Sequence, residues 1–245
     1  MADEFLTTQA GRRLAYNRTD GRGPWLVFLG GFKSDKDGTK ALHLESWATA
    51  QGRPFLRFDY SGHGASSGNF TDGTIGDWAA DAEAAIGHLT AGPPVLIGSS
   101  MGGWIALLLA KRMDISGLVT IAAAPDFTED SMWAGFSDAQ KAQLAEVGQI
   151  ALPSDYGEDY IITRRLIEDG RENLVLRSAL HIEAPIRMLQ GTQDADVDMS
   201  VALRLLNHLE GADIRLDLVK GADHRFSDPP CLDLIAARID EVLDV

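Results

Sequence analysis

The chain has 245 residues, of which 45% are apolar, and its 36 acidic side chains outnumber 22 basic ones to give a formal charge of −14. This length and apolar content suit one large domain with a sizeable core, whereas the negative charge disfavours nucleic acids and anionic lipid surfaces as partners. Cys231 is the only cysteine, which excludes an internal disulfide and a cysteine-based metal site.

The N-terminal segment and the apolar runs bear on the location of the protein. Residues 1–21 place acidic residues before basic ones and contain no apolar stretch of the kind found in a signal peptide. The longest apolar run, residues 105–110, is far shorter than a membrane span. We therefore expect a cytoplasmic protein without a membrane span.

The predicted elements alternate between strands and helices along the chain. Because such alternation implies right-handed crossovers, we expect an α/β fold with a mostly parallel central sheet and helices on both faces. Active sites of these folds lie outside the carboxyl ends of the strands. In chain order the elements are a hairpin of residues 4–8 and 13–19, strand 24–31, helix 37–50, strand 54–60, helix 74–89, strand 95–98, helix 101–112, strand 115–125, strand 186–191, helix 198–210, strand 214–223 and helix 230–243.

One long segment interrupts the alternation. About 58 residues, 127–184, separate two predicted strands, which is too long for an ordinary connection. Residues 137–148 and 162–173 within it have helical character. We therefore predict a small helical cap inserted at 127–184 and a core formed by residues 1–126 and 185–245. The cap carries five scattered aromatic residues, Phe127, Trp133, Phe136, Tyr156 and Tyr160.

A glycine-flanked pair of serines, Ser99 and Ser100, joins strand 95–98 to helix 101–112. The residues 98–102 fit the G-x-S-x-G pattern, in which a serine is raised on a tight turn between a strand and a helix. Gly98 and Gly102 flank the middle position, which predicts Ser100 as the nucleophile and leaves Ser99 as a neighbour. An ordinary glycine-rich turn is the alternative interpretation.

A serine hydroxyl needs a base to take its proton. Among six histidines, His224 follows the last predicted strand and therefore lies at the carboxyl edge of the sheet, which makes it the predicted base. His63, in a glycine-rich loop after an earlier strand, is the alternative. His88 and His208 fall on predicted helices and are expected to have no catalytic role.

An acid between the serine and the histidine in chain order should orient the base. Asp194 lies in the loop after strand 186–191 and is the predicted acid. Asp196 in the same loop and Asp126 after strand 115–125 remain alternatives. Asp198 is predicted to cap the helix that follows.

Two backbone N–H groups should stabilise the oxyanion that forms on the substrate. The residue after the nucleophile, Met101, supplies one of them. We expect Phe32 to supply the other, because Gly30 and Gly31 let the backbone before it approach a substrate closely. A tight turn without a ligand explains the glycine pair equally well. This mechanism requires no metal and no organic cofactor.

Four groups of residues in this order resemble the α/β-hydrolase superfamily over almost the whole chain: "GGF" at 30–32, "FDYSGHGAS" at 58–66, "GSSMGG" at 98–103, and "QGTQDADV" with "ADH" near the end. Within it, "DGTKALHLESWA", "RFDYSGHGASSGNF" and "GSSMGGW" are similar to the acyl-protein thioesterase and acyl-glucuronide esterase group that includes α/β-hydrolase domain protein ten, and to its bacterial relatives. The resemblance implies the triad Ser100, Asp194 and His224, and ester or thioester hydrolysis.

We therefore expect a serine hydrolase that cleaves carboxylic esters or thioesters through an acyl-enzyme. The aromatic cap favours an apolar acyl group, carried by a small molecule or an acylated protein. An acyltransferase, or a hydrolase of other acyl, carbon–carbon or peptide bonds, can use the same triad, and a non-catalytic binding protein can keep the fold. We expect a monomer or a small homo-oligomer.

Overall fold

The structure, a computed structural model, describes residues 4–153 and 159–244. Its strands are β1 (Glu4–Thr7), β2 (Arg13–Thr19), β3 (Leu26–Leu29), β4 (Phe55–Phe58), β5 (Val95–Ser99), β6 (Gly117–Ile121), β7 (Gln149–Leu152), β8 (Tyr160–Thr163), β9 (Leu180–His181), β10 (Ile186–Gly191), β11 (Leu209–Glu210) and β12 (Ile214–Val219). Its α-helices are α1 (Thr39–Ala50), α2 (Ile75–Leu89), α3 (Met101–Ala110), α4 (Asp138–Val147), α5 (Arg164–Glu172), α6 (Met199–His208) and α7 (Pro229–Leu243).

An eight-stranded sheet forms the centre of the molecule. Its strand order is β1-β2-β4-β3-β5-β6-β10-β12. The pairs β1–β2 and β2–β4 are antiparallel, and all the other pairs are parallel. This arrangement confirms the predicted α/β fold with its mostly parallel sheet. The carboxyl ends of β3, β5, β6 and β10 lie next to each other, which is where an active site is expected.

Helices cover both faces of the sheet. On one face, α1 and α7 pack on the strands through an apolar cluster that includes Leu44, Ile235 and Ile239. On the other face, α2, α3 and residues of the 127–184 segment pack on the sheet, with Trp78 and Trp104 among the largest fully buried side chains. The helix α3 is buried over nearly all of its surface, so its start is held firmly against the sheet.

The predicted strands 115–125 and 214–223 are longer than the observed ones. The strand β6 ends at Ile121 because the backbone turns at Ala122, which has a positive φ of 47°. The strand β12 ends at Val219, before a turn in which Gly221 has a φ of 86°. Both residues lie outside the range in which a strand continues, and both turns lead into the candidate site.

The segment 127–184 contains the two predicted helices as α4 and α5, and also elements that the sequence analysis missed. These are a π-helix at Thr128–Trp133 and the antiparallel hairpin β7–β8. The strand β9 pairs with β11, which joins the end of the segment to the core. These elements are only partly buried, so they lack the fully buried apolar run that identifies equally short strands such as β3 and β4. The predicted aromatic Tyr156 lies outside the described residues, and the boundaries of the cap stay a prediction.

Within residues 4–153 and 159–244, none of the helices has both the length and the apolar character needed to span a bilayer.

Candidate active site

Ser100 lies on a sharp turn between β5 and α3. Its backbone has φ 55° and ψ −119°, a combination that non-glycine residues seldom adopt. Three hydrogen bonds hold the turn: the Ser100 N–H donates to Ile121 O at 2.9 Å, and the Ser100 carbonyl accepts from Gly103 N–H at 2.9 Å and from Ala124 N–H at 3.1 Å. The neighbouring strand β6 therefore supports the strained position of Ser100.

The turn is closed so tightly that Gly98 and Gly102 cannot carry side chains without a clash. A Cβ atom on Gly98 would lie 2.4 Å from Gly102 O, and one on Gly102 would lie 2.0 Å from Leu29 O. Gly103, which the sequence analysis did not single out, has the same restriction, because a Cβ there would lie 2.6 Å from the Cβ of Ala123. These glycines let α3 approach the ends of β3 and β6.

We expect Gly102→Ala to lower the free energy of unfolding by about 3 kcal/mol, because no rotamer change moves a Cβ away from a backbone oxygen. The carbonyls of Leu29 and Gly30 would have to shift. Since a displacement of about 1 Å in a catalytic site can cost about 100-fold in rate, we expect an activity loss of that order in the folded fraction. Urea denaturation and esterase assays measure the two effects.

The matched control is Gly87→Ala in α2, where a Cβ would meet nothing within 4 Å. It should raise the free energy of unfolding by up to about 1 kcal/mol, since alanine is the better helix former. Equal stability of the two variants would contradict the close approach described for Gly102.

His224 follows β12 and lies at the same edge of the sheet as Ser100. Its Nε2 lies 3.1 Å from the Oγ of Ser100, although the two residues are 124 positions apart in the chain. The adjoining loops are joined by two backbone hydrogen bonds, from Thr192 N–H to Val219 O and from Gln193 N–H to Ala222 O, both at 3.0 Å. These bonds hold the end of β10 beside the turn that carries His224.

The alternative base, His63, lies in a different environment. Its ring is 3% exposed and packs edge-on against Tyr60, Phe70 and Trp78. Its Nδ1 is 3.2 Å from Ser61 O, and burial lowers its pKa to about 4. His63 is not among the residues that line the cleft around Ser100, so the geometry favours His224 as the base.

Asp194 completes a hydrogen-bonded chain with the other two residues. Its Oδ2 lies 2.9 Å from Nδ1 of His224 and 2.9 Å from Nε2 of Gln190, while its Oδ1 accepts from the N–H groups of Asp196 and Val197. Burial alone would raise the pKa of Asp194, but the hydrogen bonds from His224, Val197 and Gln190 outweigh it and lower that pKa. The carboxyl group therefore stays ionised through the neutral range.

The other candidate acids have different partners. Asp126 is fully buried and accepts hydrogen bonds from the N–H groups of Val175 and Leu176, at 2.8 and 3.0 Å, and from Arg177. Asp196 is exposed. Asp198 caps α6 through a 2.8 Å bond from Ser200 N–H, as predicted. Asp194 is thus the carboxylate whose oxygen lies within hydrogen-bonding distance of His224 Nδ1.

Met101 follows Ser100 directly at the start of α3, and Phe32 follows Gly31, which contacts Ser100. Among the described residues, neither backbone N–H has a hydrogen-bond acceptor, so both donors are available to a ligand. Gly31 packs against Ser100, because a Cβ on Gly31 would lie 3.4 Å from the Cβ of Ser100. The Phe32 ring is held edge-on by Phe70, Phe127 and Tyr160, with centroid distances between 4.8 and 5.7 Å.

A cleft of about 840 Å³ opens above Ser100 and His224. One wall is apolar and includes Phe127, Met132 and Tyr160 of the 127–184 segment. The lining also has polar residues, among them Lys40, whose ammonium donates to the carbonyl of Arg225. Burial lowers the pKa of Lys40 to about 8. A second hollow, of about 780 Å³, is formed by residues 20–22 and 51–53 and has no nucleophilic or basic catalytic side chain.

Within the described part of the chain, Asp194, Asp196 and His224 form the group whose donor atoms come close enough to hold a metal ion, all within 4.8 Å of each other. Two of these residues already form the His224–Asp194 hydrogen bond. A metal ion there would compete with that bond, and the donor set is better explained by the hydrogen-bonded chain.

Sequence reasoning missed the contribution of Gln190 to this arrangement. The residue is fully buried in β10 and directly precedes Gly191. The available signal was a polar side chain in a strand that leads into the loop of Asp194.

Comparisons with known proteins find similar chains. The alpha/beta hydrolase family matches residues 26–237. The chain is 32% identical over 244 residues to "Palmitoyl-protein thioesterase ABHD10, mitochondrial" of Homo sapiens. The matched region covers 98% of this chain and 79% of that protein. A putative hydrolase from Agrobacterium vitis has a TM-score of 0.95 at 39% identity, covering 99% of this chain and 98% of that chain. Alpha/beta hydrolase domain-containing protein 10 from mouse has a TM-score of 0.91 at 30% identity, and the match covers 100% of this chain and 99% of that chain.

The cytoplasmic location expected from the sequence is wrong, because the curated relatives from cattle, rat, mouse and human are named as mitochondrial proteins. The expectation rested on residues 1–21, which do not have the pattern of a signal peptide, and on apolar runs that are too short to span a membrane. Cellular addresses are read by receptors and do not follow from those properties.

Proposed function

The chain belongs to the alpha/beta hydrolase family and is an ester or thioester hydrolase, and from this premise we propose that it acts through a triad of Ser100, His224 and Asp194. The observation that carries the proposal is the continuous chain from Ser100 Oγ to His224 Nε2, 3.1 Å, and from His224 Nδ1 to Asp194 Oδ2, 2.9 Å. This order of contacts matches nucleophile, base and orienting acid.

In the first half of the reaction, Ser100 Oγ attacks the acyl carbonyl while His224 Nε2 takes its proton. Negative charge develops on the carbonyl oxygen, and the N–H groups of Phe32 and Met101 stabilise it. Asp194, ionised and hydrogen-bonded to Nδ1, stabilises the imidazolium that forms. His224 then gives its proton to the leaving alcohol or thiol, and an acyl-enzyme remains on Ser100.

In the second half, a water molecule replaces the leaving group. His224 removes a proton from the water, the hydroxide attacks the acyl-enzyme, and the same two N–H groups stabilise the second oxyanion. Collapse of this intermediate returns the proton to Ser100 and releases the carboxylic acid. The free triad is regenerated without any change in oxidation state.

We propose that residues 127–184 form a cap that binds the acyl group. The support is the apolar wall of the cleft, to which this segment contributes Phe127, Met132 and Tyr160. The relatives named palmitoyl-protein thioesterase act on a long acyl chain according to their names. A long-chain acyl thioester, on a small molecule or on an acylated protein, is therefore the proposed substrate class for this chain.

A series of p-nitrophenyl esters tests this proposal. We expect kcat/KM to be at least about 10-fold higher for the octanoate than for the acetate, because each buried methylene contributes up to about 0.8 kcal/mol. Palmitoyl thioesters should be cleaved with release of free thiol, which a thiol reagent detects. Equal kcat/KM for acetate and octanoate would contradict an apolar acyl pocket.

A variant of the apolar wall localises the effect. Met132, which lines the cleft, is a residue of this apolar wall. If the cap binds the acyl chain as proposed, Met132→Asn should reduce kcat/KM for the octanoate by about 10-fold and leave the acetate nearly unchanged. Leu203→Asn, at a 39% exposed position on α6 that is not part of the cleft lining, is the control and should leave both rates unchanged.

A further inference from the structure

Gln190 occupies a special position at the end of β10. Its side chain is fully buried, and its Nε2 donates to Asp194 Oδ2 at 2.9 Å, to Val197 O at 3.1 Å and to Gly191 O at 3.3 Å. With three acceptors around it, this end of the amide is the NH2 group, since the opposite orientation would face oxygen against oxygen.

The other end of the amide is unpaired. Among the described residues, the buried Oε1 of Gln190 has no hydrogen-bond partner. Burying an unpaired carbonyl oxygen costs free energy, and an apolar side chain of the same length would avoid that cost. The presence of glutamine here therefore needs a reason, and the contact of its Nε2 with Asp194 supplies one.

We propose that Gln190 is a positioning residue that holds the carboxylate of Asp194 in register with His224 and moderates its negative charge. The inference rests on the proposed triad. Gln190 is not among the residues that line the cleft, so it acts through Asp194 and not on the substrate. Residues behind the groups that do the chemistry often have such a role.

The shared oxygen explains how the charge is moderated. Oδ2 of Asp194 accepts both from Gln190 Nε2 and from His224 Nδ1, so the two donors compete for the same negative charge. Removing the Gln190 donor takes away one of the two hydrogen bonds to Oδ2, which strengthens the attraction of this oxygen for the imidazole and favours the protonated imidazole. The acidic limb of the kcat/KM profile is therefore expected to move to higher pH when this donor is removed.

Two substitutions of nearly the same size as glutamine test this proposal. Gln190→Met removes the donor, and Gln190→Glu replaces it with a second carboxylate beside Asp194. We expect the midpoint of the acidic limb to rise by about half a pH unit for the first and by about one unit or more for the second. We also expect kcat to fall by about 10-fold in Gln190→Met, with KM changed by less than about twofold.

The matched control is Thr120→Val, which removes a buried hydroxyl from the neighbouring strand β6. Its profile and kcat should equal those of the unmodified enzyme. All three variants keep the charged groups of the loops and the cleft near Asp194 and His224, which are Asp196, Asp198, Asp223, Arg225 and Lys40.

A purely structural role for Gln190 would lower activity or the melting temperature while leaving the midpoint of the acidic limb in place, and that result would overturn the inference. The rate of inactivation by a fluorophosphonate, followed against pH, gives the same midpoint independently of the deacylation step. If Gln190→Met does not fold, Gln190→Glu decides the question. Activity retained in Ser100→Ala would overturn the proposed triad itself, whereas loss there with unchanged limbs in both Gln190 variants would overturn only this inference.

Discussion

Ser100→Ala is expected to lower kcat/KM for an activated ester by about five orders of magnitude. The variant loses the Oγ that lies 3.1 Å from His224, so no acyl-enzyme forms. The fold should survive, because the three hydrogen bonds of the turn at Ser100 all use its backbone. Steady-state kinetics measure the loss, and mass spectrometry after incubation with a fluorophosphonate shows whether the serine is labelled.

The adjacent Ser99 provides the matched control. It is buried as the last residue of β5 and also lines the cleft, but the hydrogen bond to His224 Nε2 is made by Ser100 and not by Ser99. Ser99→Ala should keep fluorophosphonate labelling and stay within about threefold of the original activity, as conservative changes outside the reacting atoms usually do. Labelling that survives in Ser100→Ala and disappears in Ser99→Ala would require a different nucleophile.

Asp194→Asn is expected to reduce kcat by about 10⁴-fold. An amide in this position presents an NH2 group to His224 Nδ1, which favours the imidazole tautomer that carries its proton on Nε2. That tautomer cannot accept the proton of Ser100, and no carboxylate stabilises the imidazolium. Hydrogen bonds outweigh burial and lower the pKa of Asp194. We therefore expect the unmodified enzyme to lose no activity through protonation of this carboxyl group near neutral pH.

Asp126→Asn is the control for Asp194→Asn, since both remove a buried carboxylate that follows a strand. Asp126 accepts hydrogen bonds from Val175, Leu176 and Arg177, so its replacement should lower the free energy of unfolding by about 2 kcal/mol. Its kcat should remain within a few-fold of the original, because none of these partners belongs to the triad. The reverse pattern, with catalysis lost in Asp126→Asn only, would assign the acid to the loop that follows β6.

Much of the fold could be predicted from the residues. Long amphipathic or apolar segments, such as α2 and β5, have a periodicity that identifies them without tertiary information. The hairpin β7–β8 and the pair β9–β11 were not found. The strands β3 and β4 are equally short, but they are fully buried and therefore form apolar runs that the sequence shows, whereas β7, β8, β9 and β11 are only partly buried and depend on their partners.

Sequence alone determined the alternation of strands and helices, the tight glycine turn at Ser100, and a short list of candidate histidine bases and aspartate acids. The sequence analysis preferred Asp194 and His224 among these, and only the tertiary structure gives their contacts: Asp194 is hydrogen-bonded to His224, and His224 lies next to Ser100. The physical reason is that loop direction depends on backbone turns and on contacts between loops distant in sequence. The parallel register of β5, β6, β10 and β12 sets the ends of these strands side by side, and the bonds between residues 192–193 and 219–222 then turn Asp194 toward His224.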